Sequence, residues 1–308
     1  MAHGIADDAL TTTFAAMRKP VVIAPAMNTN MYESPATQEA IRTLSQWENI
    51  TMLDAASGEL ACGTTGKGRM QEVDVLVAAT EYALTPKTMA GKHVVITAGP
   101  TQEAIDPVRY ISNASTGKMG YSLVRACLNR GAEVTLVSGP THLSLKAWQQ
   151  FCPLRVENVV SSAAMCEATV VAFEQADIAI LCAAVADFTP CTTADKKIKK
   201  QPGQDGMVVE LKTTTDIAAT LGASKQAHQR LVGFALETHD EQANALRKLQ
   251  SKNLDMIVLN SLQDQGAGFG VDTNKVTLLF ADGTKKDLPL LLKQEVADVI
   301  VESILQLI

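Results

Sequence analysis

The sequence has 308 residues, 46% hydrophobic and 19% charged, the composition of a folded globular chain with room for two domains of about 100–200 residues each. A net charge of −6 offers no basic face for non-specific nucleic-acid binding, and no apolar run reaches the roughly 20 residues that span a bilayer. The six cysteines, Cys62, Cys127, Cys152, Cys166, Cys182 and Cys191, form no Cys-x-x-Cys pair and no metal-ligand spacing, which points to free thiols in a reducing cytoplasm.

Taken in chain order, the N-terminus lacks the charged-then-apolar pattern of a signal peptide. Gly4–Leu10 reads like the interior of a domain with a helix already under way, so sequence upstream is expected to be missing, from the expressed piece or from the gene. Residues 20–25 form an apolar run bounded by prolines, the mark of a buried strand. A helix is predicted over 34–47, a strand over 50–53, a glycine-rich loop over 57–69 and a helix over 73–84. The polar stretch 85–91 is a linker between a first domain, 1–84, and a second, 92–308.

After the linker the pattern restarts. Strands are predicted at 93–98, 133–137, 177–183, 230–235 and 255–260. Helices alternate with them at 119–130, 161–175, 216–224 and 240–251. This alternation predicts an α/β fold with a Rossmann-like, mainly parallel sheet flanked by helices. Its ligands belong in the crevice beyond the strands' carboxyl ends. The tail reads as a hairpin, 275–280 and 284–288 around Asp282-Gly283, followed by a helix over 289–307.

Three stretches carry chemistry. After the strand ending at Ala98, some twenty residues precede the next helix, far more than a plain Rossmann turn needs. They end in Ser115-Thr116-Gly117-Lys118-Met119-Gly120 at the helix start. Free N–H groups there suit a phosphate, although Gly120 serves equally for tight helix packing. No G-x-G-x-x-G is present, which disfavours a dinucleotide oxidoreductase. Further on, Ala183-Ala184-Val185-Ala186-Asp187 follows a strand. Small residues there admit a ligand to the backbone, and Asp187 either contacts ribose or Mg²⁺ or caps a turn. The basic run Lys196-Lys197-Ile198-Lys199-Lys200 is either solvated surface or a lid over a triphosphate.

The string Gly99–Gly120 resembles the signature of phosphopantothenate–cysteine ligases, and similarity to that family runs through essentially the whole chain. Thr116 departs from it, standing where the family has a second serine. The resemblance implies that Asn113 acts in converting an acyl-nucleotide intermediate, where an amide holds a developing oxyanion. It implies that Lys197 acts in forming that intermediate, and that Ser115 and Gly117 bind substrate. The nucleotide contacts it implies are Leu181, Cys182, Ala183, Asp187, Lys197, Thr215, Asp216, Ile217, Ala218, Phe234, Lys248 and Lys252. Thr215 stands where the family often has proline. By themselves, Phe234 reads as core and the Lys248/Lys252 pair, four apart on a helix, as surface charge.

The front residues, Pro25–Tyr32 and Leu60–Met70, resemble flavin-dependent phosphopantothenoylcysteine decarboxylases. That likeness implies that Asn28 holds a substrate carboxylate and that Cys62 protonates an ene-thiol. An isolated cysteine is more often an inert filler, but a glycine-rich loop favours exposure and reactivity. None of His3, His93, His142, His228 or His239 matches the position of that family's catalytic histidine, so the front segment is expected to be a partial, flavodoxin-like domain that binds FMN poorly and does not decarboxylate.

The resemblance as a whole implies a CTP- and Mg²⁺-dependent ligase of coenzyme A biosynthesis acting on 4′-phosphopantothenate and L-cysteine. It further implies a cytoplasmic homodimer through the ligase domain and larger assembly through a complete decarboxylase domain. Two rivals stand beside it: an NAD(P)-dependent oxidoreductase, and a non-catalytic nucleotide- or flavin-binding regulatory subunit.

Overall fold

The computed structural model describes residues 1–308 except 62, 201–204, 238, 262–267 and 269, and the side chain of Ser261. The chain divides into two compact units: Met1–Lys87 with Asn129–Gly131 and Leu145–Cys152, and the remainder from Thr88 to Ile308.

The first unit begins with α1 (Ala9–Ala16), capped by Asp8, whose carboxylate accepts the Thr11 N–H at 2.7 Å. There follow β1 (Val21–Ile23), α2 (Thr29–Tyr32), α3 (Pro35–Ser45), β2 (Ile50–Met52), β3 (Ala56–Glu59), β4 (Thr65–Arg69) and α4 (Val73–Leu84). β1 and β2 pair in parallel, and β3 and β4 pair antiparallel. The stretch 57–69, expected as a glycine-rich loop, is therefore largely a hairpin. Its glycines permit close docking: a Cβ on Gly66 would lie 2.3 Å from Thr29 Oγ1, and one on Gly68 would lie 2.1 Å from the Met27 carbonyl.

The second unit contains β5 (His93–Ala98), β6 (Gln102–Ala104), β7 (Tyr110–Ser112), α5 (Lys118–Asn129), β8 (Glu133–Ser138), β9 (Leu154–Asn158), α6 (Ser162–Phe173) and β10 (Ile178–Leu181). It continues through β11 (Phe188–Pro190), β12 (Leu211–Thr213), α7 (Ile217–Ser224), β13 (Arg230–Glu237), α8 (Glu241–Ser251) and β14 (Met256–Ser261). It ends with β15 (Thr273–Asn274), β16 (Val276–Phe280), β17 (Lys285–Asp287), β18 (Leu291–Leu292) and α9 (Lys293–Leu305).

Eight strands form one sheet in the order β17-β16-β14-β13-β10-β5-β8-β9. The six from β14 to β9 run parallel, and β16 and β17 add an antiparallel edge. The α/β class with a mainly parallel sheet is as expected. Val94, Val95 and Ile96, with Ile178, Ala179 and Ile180 beside them, are fully buried. Each large aliphatic side chain among them contributes about 1.5–3 kcal/mol.

The chain runs from β5 outward through β8 to β9, then crosses to β10 on β5's other side and continues to β13 and β14. The reversal between β5 and β10 is the topological switch point, where parallel sheets open a crevice at their carboxyl ends. Two hairpins absent from the sequence reading, β6–β7 and β11–β12, leave the sheet from these same ends and lie beside each other.

Candidate active site

Two cavities lie at the carboxyl ends of β5, β10 and β13. The first, about 360 Å³, is lined by Asn113 and Ser115–Gly120 on one side and by Cys182–Val185, Phe234 and Lys248 on the other. The second, about 400 Å³, is lined by Leu181, Thr213–Ala218, Phe234, Lys248 and Lys252. Ala183, Val185, Asp187, Phe234 and Lys248 belong to both walls.

Local sequence explains how the first cavity is built. The strand-to-loop crossing at 183–186 is pinned from below: Ala183 N–H donates to Thr97 Oγ1 at 3.2 Å and Ala186 N–H to Thr101 Oγ1 at 3.0 Å. Asn113 Nδ2 donates to the Ala184 carbonyl at 3.0 Å. Asn113 therefore reaches the end of β10 from the loop that precedes α5. The Gly117 N–H donates to Ser115 Oγ at 3.3 Å, and Gly117 has φ +79°, a left-handed conformation that glycine adopts without strain. Gly120 serves packing: a Cβ there would lie 2.5 Å from the Ala98 Cβ. Of the two roles the sequence left open at Gly120, close approach of helix and strand has the direct geometric support.

The second cavity is organised by charge. Asp216 caps α7, accepting the Ala219 N–H at 3.0 Å, and pairs with Lys252 at 2.8 Å. Partial burial pushes the Asp216 carboxyl up. The Lys252 ammonium and the helix N–H groups outweigh this and hold it below the ordinary value of 3.8. Lys248 pairs with Glu237 at 2.6 Å. Both lysines thus line the cavity as members of ion pairs and are not loose surface charges. Phe234 is half-buried on the walls of both cavities, so it is not core. Asp187 is exposed, lines both cavities and begins no helix; β11 follows it directly.

Of the residues singled out from the sequence, Asn113, Ser115, Gly117 and Cys182 line the first cavity. Leu181, Thr215, Asp216, Ile217, Ala218 and Lys252 line the second, and Ala183, Asp187, Phe234 and Lys248 line both. Burial pushes the Cys182 thiol up to about 12, so it acts as a neutral apolar wall. Lys197 lines neither cavity and is exposed.

In the first unit, Asn28 is half-buried and caps α2 through its side-chain oxygen, 2.9 Å from the Asn30 nitrogen. Beside it, Thr29 Oγ1 is buried with no hydrogen-bond partner, the kind of orphaned polar atom that a bound group satisfies. Cys62 lies outside the described residues.

The sequence reading missed Lys118, Asn260, Asn274 and Lys293 on the first cavity's wall. Lys118 pairs with Asp272 at 2.6 Å, and Asn274 Nδ2 donates to Asn260 Oδ1 at 3.3 Å. Lys293 is buried, its ammonium donating to the carbonyls of Gly268 and Val271, and burial lowers its pKa. A lysine set directly after Leu290-Leu291-Leu292 was the available signal, since a charge in an apolar run is expensive unless paired.

Among the described residues no three His, Cys, Asp or Glu side chains could together hold a metal ion, and no helix is long and apolar enough to cross a membrane. A Mg²⁺ ion carried on substrate phosphates needs only one or two protein carboxylates, and Asp187 fits that lesser demand.

Comparison with known proteins agrees with this architecture. Residues 89–308 match the family described as DNA/pantothenate metabolism flavoprotein C-terminal domain, and residues 1–84 match the family described as Flavoprotein. The coenzyme A biosynthesis bifunctional protein CoaBC of Bacillus subtilis (strain 168) is 49% identical over 308 residues, covering 99% of this chain and 74% of the relative. A cysteine/cysteine sulfinic acid decarboxylase from an unknown prokaryotic organism is 50% identical over 313 residues, covering 100% of this chain and 85% of that one. Among solved structures, the C-terminal domain of a CoaBC protein matches with a TM-score of 0.59 at 39% identity, covering 72% of this chain and 97% of that domain. The chain belongs to the CoaBC family of bifunctional coenzyme A biosynthesis proteins, and is an enzyme with a ligase domain preceded by a flavoprotein segment.

Proposed function

We propose that the second unit joins 4′-phosphopantothenate to L-cysteine at the expense of CTP. The observation that carries this reading is the wall shared by the two cavities. An acid in the first cavity and a nucleotide in the second would meet across Ala183, Val185 and Asp187. In the first step a carboxylate oxygen attacks the α-phosphorus, the acyl–O–P bond forms, the bond to the β-phosphate breaks, and pyrophosphate leaves. In the second step the cysteine amine attacks the acyl carbon, the C–O bond breaks, CMP departs, and the amine gives up its proton.

The chain's own groups have distinct tasks in this scheme. Ser115, Gly117 and the start of α5 hold the acid. Phe234 stacks on the base. Lys248 and Lys252 exchange their carboxylate partners for phosphate oxygens, and Lys197 offsets charge as the acyl-nucleotide forms. Asn113 donates its amide hydrogen to the oxyanion of the second step. Mg²⁺ would supply charge neutralisation on the triphosphate, with Asp187 as its protein ligand or as the ribose contact.

Val108, Tyr110, Phe188, Val208 and Leu211 are exposed on or beside the two hairpins β6–β7 and β11–β12. Such an apolar surface supports a homodimer through the second unit. In the first unit, Asn28 and Thr29 are the residues that would face a flavin or a substrate carboxylate. Flavin absorbance in the purified protein, together with CO₂ release from phosphopantothenoylcysteine, tests whether the first unit acts as a decarboxylase. The relative named as a cysteine decarboxylase makes cysteine alone a necessary arm of that test.

The deciding assay is pyrophosphate release from CTP with Mg²⁺ and phosphopantothenate, with and without cysteine, and with ATP as control. Release with CTP, proceeding to CMP and amide only when cysteine is present, is expected. No release with either nucleotide would overturn the ligase reading in favour of a regulatory subunit.

A further inference from the structure

The Asp106 carboxylate accepts from three backbone N–H groups and from Arg109, and it lies outside both cavities. Asp106 is 2% exposed. Its Oδ1 accepts the N–H groups of Val108 and Arg109 at 2.8 and 2.9 Å, closing the turn between β6 and β7. Its Oδ2 accepts Arg109 Nε at 3.0 Å and also pairs with Arg109 Nη2. The same Oδ2 accepts the N–H of Ile198 at 3.1 Å, while Arg109 Nη2 donates to the Ile198 carbonyl at 2.7 Å. Two side chains of opposite charge therefore satisfy both backbone groups of one residue, doing what a neighbouring strand does in a ladder.

That residue is the midpoint of Lys196-Lys197-Ile198-Lys199-Lys200. Ile198 is half-buried, the four lysines are exposed, and among the described residues none of the four has an ion-pair partner. Two further bonds run along the same seam: Ala194 N–H to the Ile105 carbonyl at 3.0 Å, and Thr193 Oγ1 to the Ala104 carbonyl at 3.1 Å. The Arg109 guanidinium holds the Asp106 carboxyl well below the usual carboxylate range. A depressed folded-state value means the contribution is present above the ordinary carboxylate range and is lost only as pH falls through the lower, folded value. The clamp therefore stays closed at neutral pH.

We infer that Asp106, acting through Arg109 and the Ile198 backbone, is a positioning residue for the ligation: it anchors the lysine run at its centre so that Lys197 is presented in one register to the reacting phosphates. The inference rests on the role proposed above for Lys197. The fixed point is the backbone of Ile198, so the clamp acts on the lysines through chain direction and not through contact with them. A side-chain clamp of this kind leaves the lysine side chains free to follow the nucleotide while denying the backbone the freedom to slip by a residue.

The test uses the full chain with Asp106→Asn, which keeps the shape but turns an acceptor of Ile198 N–H and Arg109 into a donor. A second variant, Ile198→Pro, removes the N–H that the clamp holds, also fixing φ at 198 and restricting Lys197, and leaves Asp106 and Arg109 themselves unchanged. Trypsin cleavage after Lys196, Lys199 or Lys200, bonds that a proline at 198 leaves cleavable, reads the anchor without reference to activity and should quicken by about tenfold or more in both variants. Pyrophosphate release from CTP and phosphopantothenate should fall by about 10–100-fold in kcat, with KM for phosphopantothenate within about twofold. Amide formation from supplied acyl-cytidylate and cysteine should keep its rate, a selectivity that general loss of structure would not produce. Faster cleavage with undiminished pyrophosphate release would overturn the positioning role, and so would a rise in activity. Unchanged cleavage in both variants would overturn the anchor itself. Lys197→Gln serves as the separate control: full activity in that variant would sink the reading of Lys197, while the cleavage data would still decide whether Asp106 holds the run.

Discussion

Ala183 and Ile198 belong to the same stretch of chain between β10 and β12, yet the fold holds them by different means. Ala183 leaves a strand flanked on both sides by parallel neighbours, and the loop after it is fixed by Thr97, Thr101 and Asn113. Its position follows from strands whose central residues, Val94–Ile96 and Ile178–Ile180, are fully buried. Ile198 has no strand of the main sheet beside it and is held chiefly by one carboxylate and one guanidinium. The cavity walls are thus inherited from the sheet, whereas the lysine run depends on a few polar bonds. Substitutions at the strand ends should change the chemistry or the fold, and substitutions in the run should change only the step that needs the run.

The largest expected effects sharpen that contrast. Asn113→Asp should slow amide formation by about 10²–10³-fold, with acyl-nucleotide accumulating on the enzyme, because an oxyanion donor is lost from a fixed loop. Lys197→Gln should instead abolish the pyrophosphate burst, so no intermediate forms. Mass spectrometry of the quenched enzyme separates the two outcomes, and accumulation in both would break the distinction between wall and run.

Next, Lys252→Ala should weaken CTP binding by about tenfold, measured by calorimetry, since one charged phosphate partner is removed. Gly120→Ala tests the sheet side alone: a methyl group 2.5 Å from the Ala98 Cβ should cost about 1–3 kcal/mol of stability. A thermal melt no lower than wild type would mean that α5 is free to shift.

The smallest effect belongs to Asp216, where pH gives the sign. Its folded-state pKa lies below 3.8, so its helix cap and its pair with Lys252 are present above the ordinary carboxylate range. They are lost only as the pH falls through the lower value. Asp216→Ala should therefore cost about 1 kcal/mol at pH 7, and less in acid. A penalty that grew toward pH 3 would contradict the assignment.

The sheet was legible because β-branched runs such as His93–Ala98 sit between glycine, proline and polar breaks, and a run buried on both faces must be almost wholly apolar. The cavity residues were legible for a different reason. Small residues after β10 and the long hydroxyl-rich loop before α5 are wasteful unless something binds there, and resemblance to ligases then gave each residue a role. The hairpins β6–β7 and β11–β12 were not legible. Their strands are only three residues long and carry Pro190, Glu103 and Lys212, so no period of two can build up.

What the sequence determined by itself is most of the alternation of strands and helices in the main sheet, though not its edge strand β9, together with the α/β class and the family, because these depend on local periodicity and on contiguous motifs. Only the tertiary structure decided that Lys248 and Lys252 face carboxylates on the wall of a cavity, that Phe234 faces the crevice rather than the core, and that Asp106 grips Ile198 across some ninety residues of sequence. Those facts depend on which strand ends meet at the switch point between β5 and β10. Pairings so distant in the chain leave no periodic trace: a carboxylate awaiting a backbone N–H far along the sequence looks like any other acidic residue in a turn.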